Sequence, residues 1–237
     1  MVALAALVPL LIALQKPGAP ASSAVPPRRA FGLGYLTGLV FFAILLYWIP
    51  FLPPENVTVP FLMYPALAVM VAYLALYPAV CAAAAAWLQG RGIPIGLSFP
   101  LLWTLAEALR GTGTFGFPWG SLGYAFASMP HLIQFASITG VWGVTLWAAL
   151  VSGLVHCYLS ARWVAPKVTV LLLLAALTAA PYHHGRRVLR ESAPFPAIDI
   201  GIVQPNVGNE KWQPGVRDSV VAALIAHTED LAAASAG

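Results

Sequence analysis

The first 182 residues consist mostly of long apolar runs that are close to free of charged side chains. Hydrophobic residues make up 60% of the whole sequence and charged residues 8%, whereas an ordinary soluble domain has about 25% charged residues. Apolar runs of this length are buried in a bilayer, where a single segment satisfies its backbone groups only as a helix. The sequence therefore predicts an α-helical polytopic membrane domain.

Six apolar segments can be drawn, and their Lys and Arg content predicts an orientation. They lie roughly at residues 2–15, 31–50, 61–88, 93–109, 131–159 and 168–182. Several reach the ~20 residues needed to cross the bilayer core, while the first and last are short. Loops 51–60 and 111–130 contain no Lys or Arg, whereas the other three loops contain Lys16, Arg28, Arg29, Arg91, Arg162 and Lys167.

The positive-inside rule makes those three basic loops cytoplasmic. The end of the fourth segment and everything after Tyr182 are then expected outside the cytoplasm. Met1 would also start outside, so a further span is expected to precede this chain.

The composition changes at Tyr182, which predicts a domain boundary between 1–182 and 183–237. Alternation of Ile198, Ile200 and Ile202 with Asp199 and Gly201 is typical of a half-buried strand. Beyond it, an amphipathic helix is predicted from Val216, with one face formed by Val220, Leu224, His227 and Leu231. One strand and one helix cannot bury a core of their own. Residues 183–237 are therefore expected to begin an α/β domain that continues elsewhere.

Glu107 and Arg110 are a pair of opposite charges at the end of the fourth apolar segment. A spacing of three residues places both side chains on one helix face, within pairing reach. Ions at such a position are costly unless they face protein, water or a polar ligand head. Two interpretations remain open: a structural ion pair that anchors the helix end, or the wall of a cavity that admits a lipid head group.

Five motifs occur in order along the chain. Residues 30–49 form a Gly/aromatic run that ends in Tyr-Trp48-Ile, and Pro-Leu-Leu-Trp103-Thr-Leu-Ala-Glu107-Ala-Leu-Arg110-Gly follows at 100–111. The others are Phe-Pro-Trp-Gly-Ser-Leu-Gly-Tyr at 117–124, Gly-Val-Trp-Gly-Val at 140–144 and Val-Gln-Pro-Asn-Val at 203–207, with Lys211-Trp212 after them. In this topology the set resembles the apolipoprotein N-acyltransferases.

The resemblance implies about six transmembrane helices followed by the first strand and helix of an extracytoplasmic nitrilase-like (carbon–nitrogen hydrolase) sandwich.

The resemblance also implies a reaction, its partners and a location. These enzymes transfer an acyl chain from a phospholipid, through a cysteine thioester, to the α-amino group of the diacylated N-terminal cysteine of a lipoprotein. The chain is thus expected in the bacterial inner membrane, with its C-terminal segment in the periplasm, a phospholipid donor and a lipoprotein acceptor as partners, and neither a cofactor nor nucleic acid.

The family's catalytic Glu, Lys and Cys would fall beyond residue 237. Cys81 and Cys157 lie inside apolar segments and cannot replace the nucleophile. The chain is therefore expected to be truncated at both ends and inactive by itself.

Candidate substrate-binding residues follow from the same resemblance. Trp212 matches a tryptophan that borders the family's active site, although an interface aromatic would explain it too. Gln204 and Asn206 follow the predicted strand, where side chains line α/β sites, but a turn explains Asn206 equally well. Trp119 and Tyr124 are expected at the mouth through which acyl chains enter, or in an aromatic belt. The full set is Trp212, Gln204, Asn206, Trp119, Tyr124, Glu107 and Arg110.

Two other classes of function compete with the acyltransferase. One is a polytopic transporter, which predicts charged or helix-breaking residues at the midplane and internal repeats; neither pattern is found in the sequence. The other is a scaffold that docks lipid or lipoprotein without chemistry. His183-His184 has no carboxylate or cysteine placed to complete a metal site, so a solvated turn beside the membrane is expected there.

Overall fold

The computed structural model of the chain describes residues 2–15, 25–53, 59–160, 164–191, 200–208 and 215–235. The chain divides into two compact units. The larger comprises Met1–Pro50 and Met63–Ser192, and the smaller comprises Phe51–Leu62 and Ala193–Gly237.

The larger unit is helical. Short 3-10 turns lie at Val2–Ala5 and Leu122–Phe126. Its α-helices are α1 (Val8–Ala13), α2 (Pro27–Leu46), α3 (Met63–Leu74), α4 (Leu76–Gln89), α5 (Ile95–Arg110), α6 (Pro130–Ile133), α7 (Ala136–Ser160) and α8 (Val164–Glu191). A main core forms where α1, α2, α4, α5 and α7 meet, around Leu11, Phe99 and the alanines of α4. The prediction of a helical membrane-type domain is confirmed.

Within the described residues, four helical segments are long and apolar enough to cross a membrane: Pro27–Phe51, Pro60–Gln89, Ala136–Ser160 and Pro166–Glu191. The sequence predicted six spans. The first apolar segment forms only the short helix Val2–Ala13. The 16 residues of α5 extend over about 24 Å, which is less than the roughly 30 Å of a bilayer core.

Prolines explain two irregularities in the helices. Pro78 has no N–H to donate to the carbonyl of Leu74, and α3 ends at that residue before α4 begins. Pro181 likewise leaves the carbonyl of Leu177 without its helical partner. There, Trp147 of α7 donates its indole N–H to the oxygen of Leu177 at 2.7 Å. A neighbouring helix thus satisfies the freed carbonyl, as a low-dielectric environment requires.

Small residues bring α2 and α4 close together. A methyl group placed on Gly34 would lie 2.8 Å from Cβ of Ala82 and would collide with the carbonyl oxygen of Pro78. One placed on Gly38 would lie 2.7 Å from Cα of Ala75. Helices in lipid associate through this kind of close van der Waals contact, because burial of apolar surface gives little gain there.

The last long helix extends further than the sequence predicted. α8 continues without a break from Val164 to Glu191, whereas the last span was predicted at 168–182 with a turn at His183-His184. The helix continues because Arg and Leu are good helix formers and the proline at 181 is accommodated by Trp147. His183 and His184 therefore lie on a helix and not in a turn.

The smaller unit contains α9 (Val216–Ser235), which confirms the helix predicted from Val216. Val216, Val220 and Leu224 are its half-buried residues, while His227 and Leu231 of the predicted face are exposed. The described residues 200–208 contain no strand, so the strand predicted across Ile198–Ile202 is not found at Ile200–Ile202; Ile198 and Asp199 lie outside the described residues. A strand forms only by pairing with another strand, and the described residues offer none.

The packing of α2 on α4 predicts opposite effects for two glycines of the same helix. Gly34→Ala should destabilise the protein by about 1–3 kcal/mol, because the new methyl group overpacks the contact with Ala82. Gly32→Ala is the control, since a methyl group there meets nothing within 4 Å; it should be neutral or stabilising by up to ~1 kcal/mol. Thermal unfolding in detergent measures both, and equal shifts would contradict the assigned contact.

Candidate functional site

Glu107 is buried at the end of α5, with 5% of its surface exposed. Both carboxylate oxygens accept from the backbone N–H of Leu122, at 3.0 and 3.1 Å. The hydroxyl of Thr145 on α7 donates to one oxygen at 3.0 Å, and the indole N–H of Trp103 donates to the other at 3.0 Å. The carboxylate therefore joins α5, α7 and the start of the 3-10 turn that follows the loop.

Arg110 is also buried, with 3% of its surface exposed. One terminal nitrogen donates to the carbonyl oxygens of Phe117 and Trp119, at 2.7 and 2.6 Å. The other donates to the hydroxyl of Ser121 at 3.3 Å. The guanidinium also lies 5.2 Å from the ring centre of Phe42. Its planar set of donors thus holds the loop at two backbone carbonyls and one side-chain hydroxyl.

The two charges do not form the direct ion pair that one of the two sequence interpretations implied. In the part of the chain that the structure describes, the ion pair within 4 Å is Arg187–Glu191 on α8. Glu107 and Arg110 instead bind opposite ends of the loop 117–122. Their shared helix face was predicted correctly, but each charge binds the loop, and Glu107 also accepts from the side chains of Thr145 and Trp103.

A cavity of about 490 Å³ adjoins this loop, between α2, α4, α5 and residues 120–125. Its size lies within the range of small-molecule sites. Phe41, Phe42 and Leu45 form an apolar wall, and Glu107, Arg110 and Tyr77 are among the few polar side chains that line it.

Three of the predicted site residues, Glu107, Arg110 and Tyr124, line the cavity. Trp119 directly precedes the lining residue Gly120; it is 50% exposed and stacks on Trp48, with 5.9 Å between the ring centres. Gln204 and Asn206 belong to the smaller unit. Asn206 has a φ of 49°, the left-handed conformation that Asn tolerates in turns. Trp212 lies outside the described residues.

Sequence analysis gave no role at this site to Thr145, Ser121 or Trp103. Thr145 is fully buried, and its hydroxyl both donates to Glu107 and accepts from the N–H of Gly123 at 3.1 Å. A hydroxyl directly after the motif at 140–144, within an apolar span, was the available signal. No spacing rule could connect it to Glu107, 38 residues earlier.

Comparison with known proteins places this arrangement in a family. The model described as "Apolipoprotein N-acyltransferase N-terminal domain" matches residues 1–154. This chain belongs to that family. The match includes α5, the loop and the part of α7 that carries Thr145, so the whole hydrogen-bonded site lies in the region that defines the family.

Relatives named apolipoprotein N-acyltransferase come from several bacteria. The protein of Geobacter metallireducens is 39% identical over 205 residues, and that of Neisseria meningitidis serogroup B is 37% identical over 164. These matches cover 83% and 66% of this chain. The protein of Gloeobacter violaceus is 32% identical over 248 aligned positions, which cover 98% of this chain. The chain spans 39%, 31% and 44% of the lengths of these relatives.

The two hydrogen bonds of the Thr145 hydroxyl predict that replacing this residue by a more hydrophobic one destabilises the protein. Thr145→Val keeps the shape but removes the donor to Glu107 and the acceptor of Gly123, so it should destabilise the protein by about 1–3 kcal/mol. Thr178→Val is the control, since that hydroxyl donates to carbonyl oxygens of its own helix, with Leu174 at 2.8 Å. The measurement is thermal unfolding in detergent, and indistinguishable losses would contradict the role of Thr145.

Proposed function

We propose that this chain is the N-terminal portion of an apolipoprotein N-acyltransferase, and that its cavity holds one acyl chain of the phospholipid donor. The reaction transfers that chain to the α-amino group of the diacylated N-terminal cysteine of a lipoprotein. The observation that carries the proposal is the apolar cavity directly beside a loop that the family-matched region holds in place.

The chemistry of the cavity favours a hydrocarbon chain over a head group. The charged groups of Glu107 and Arg110 are directed to the loop, where the backbone of Leu122 and the carbonyls of Phe117 and Trp119 satisfy them. A phosphate would have to compete with these bonds. The rest of the wall, including Phe41 and Leu45, offers dispersion contacts. For this cavity we therefore propose an acyl-chain site in preference to the head-group site considered from the sequence.

The proposal includes a topology in the bacterial inner membrane. Arg28, Arg29 and Arg91 lie on the cytoplasmic side by the positive-inside rule, with the loop 117–122 and residues 183–237 on the periplasmic side. In this topology α5 makes the crossing between α4 and α7, against both of which it packs. Residues 183–237 begin the nitrilase-like domain, and the catalytic Glu, Lys and Cys are supplied by sequence beyond residue 237.

A chimaera tests the proposal. This chain is fused to the part of the Geobacter metallireducens relative that follows its matched region and is supplied with phospholipid labelled in its acyl chains. The fusion should form an acyl-thioester and transfer label to a diacylated lipopeptide, while the 237-residue chain alone should do neither. A membrane-inserted fusion without transfer would contradict the function, and activity of the chain alone would contradict the location of the catalytic residues.

Filling the cavity should inhibit that reaction. In the chimaera, Leu45→Trp places a large ring in the lining and should lower transfer at least tenfold, an effect of about 1.4 kcal/mol on the barrier. Leu36→Trp is the matched control on the same helix, because Leu36 is exposed at 59%. Both are assayed at equal membrane expression, and equal rates for the two variants would exclude the cavity as the acyl site.

The tryptophans of the two units provide a separate prediction. Trp212→Ala should impair turnover of the chimaera more than Trp48→Ala, because Trp212 is proposed to border the active site while Trp48 stacks on Trp119 beside the cavity. Transfer rates at equal expression make the comparison. The reverse order would count against the role of Trp212.

A further inference from the structure

α8 changes character along its length while remaining one helix. Up to Tyr182 it is an apolar segment, and only 6% of its most apolar window is buried inside the protein. From His183 onward it carries basic side chains. The helix therefore passes from a surface suited to lipid tails to a charged surface within a single turn.

The basic side chains share one helix face. His183, Arg186, Arg187 and Arg190 are spaced at i, i+3, i+4 and i+7, the repeat of a single face. Together with Glu191 they line a concavity of about 260 Å³. In size and charge this concavity suits one anionic group.

The face keeps an excess of positive charge after its internal pairing. Arg187 binds Glu191 at 2.8 Å, with side chains that are 75% and 63% exposed, so water screens that pair strongly. Three guanidinium groups against one carboxylate leave two positive charges, without counting His183. Guanidinium groups match phosphate oxygens, like those of a carboxylate, with two parallel hydrogen bonds, so a phosphate group fits this face.

Its position relative to the apolar segment indicates where such a phosphate comes from. Tyr182, an aromatic residue typical of the membrane interface, lies at the junction, and the guanidinium of Arg186 is 5.7 Å from its ring centre. The helix is fixed to the bundle near this point, since Gly185 packs closely against the carbonyl of His131. The basic face therefore lies at the level of lipid head groups.

We propose that this face of α8 binds the head group of an anionic phospholipid, with Arg186 and Arg190 on its phosphate. The site is distinct from the cavity beside α5 and does not depend on the proposed acyl transfer. It would tie the end of α8 to the membrane surface, where one basic residue strengthens binding to anionic lipid roughly fivefold.

Native mass spectrometry of the purified full chain tests the proposal by counting bound lipid during titration. The three arms are phosphatidylglycerol, phosphatidylcholine and inorganic phosphate. Arg186→Gln/Arg190→Gln removes two charges and keeps side chains that favour helix. Arg28→Gln/Arg29→Gln is the matched control, because it removes two exposed adjacent charges at the start of α2.

The wild-type chain should retain phosphatidylglycerol at least tenfold more strongly than phosphatidylcholine. The α8 variant should lose at least tenfold in that affinity, and the α2 variant less than threefold. Equal losses in the two variants, or unchanged binding in the α8 variant, would overturn the proposal. Competition by inorganic phosphate at the concentration of the lipid would also overturn it, because the site would then recognise free phosphate. Unchanged thermal unfolding of both variants in detergent verifies that they fold.

Discussion

Two buried charged side chains at the end of α5 hold the loop that closes this side of the bundle. Glu107 binds the N–H of Leu122, and Arg110 binds the carbonyls of Phe117 and Trp119. Neither charge needs a second buried ion: Arg110 donates mainly to backbone carbonyls, and Glu107 accepts from one backbone N–H and from the side chains of Thr145 and Trp103. A buried polar group without a hydrogen-bond partner is costly in an apolar environment. The loop and the end of α5 therefore keep each other in place, because each satisfies the polar groups of the other.

The same requirement explains how the helices associate. The carbonyl that Pro181 releases is bound by Trp147, which fixes α8 to α7. Elsewhere the helices associate through small residues: Gly34 and Gly38 allow α2 to approach α4 closely. Polar satisfaction and close contact thus replace the burial of apolar surface that stabilises a soluble core.

An apolar cavity lies beside the loop 117–122, which Glu107 and Arg110 hold by hydrogen bonds. The cavity lies between α2, α4, α5 and residues 120–125, and its walls are mostly apolar side chains such as Phe41 and Leu45. An enzyme that takes acyl chains from membrane lipid needs an apolar site next to polar chemistry. The basic face at the end of α8 is a second, separate contact with the lipid phase, made by head-group charge instead of hydrocarbon.

The sequence by itself determined the helical membrane character, the family and the shared face of Glu107 and Arg110, because composition, motif order and helical periodicity are local properties. Only the tertiary structure decided that Glu107 and Arg110 bind the loop, that Thr145 and Trp103 complete the carboxylate site, and that α8 runs on to Glu191. Among the described residues four helical segments are long and apolar enough to cross a bilayer, where six apolar segments were counted, since the length of a helix counts as well as its hydrophobicity. Partners 38 residues apart, such as Glu107 and Thr145, meet only when α5 and α7 pack, and no local pattern encodes that contact.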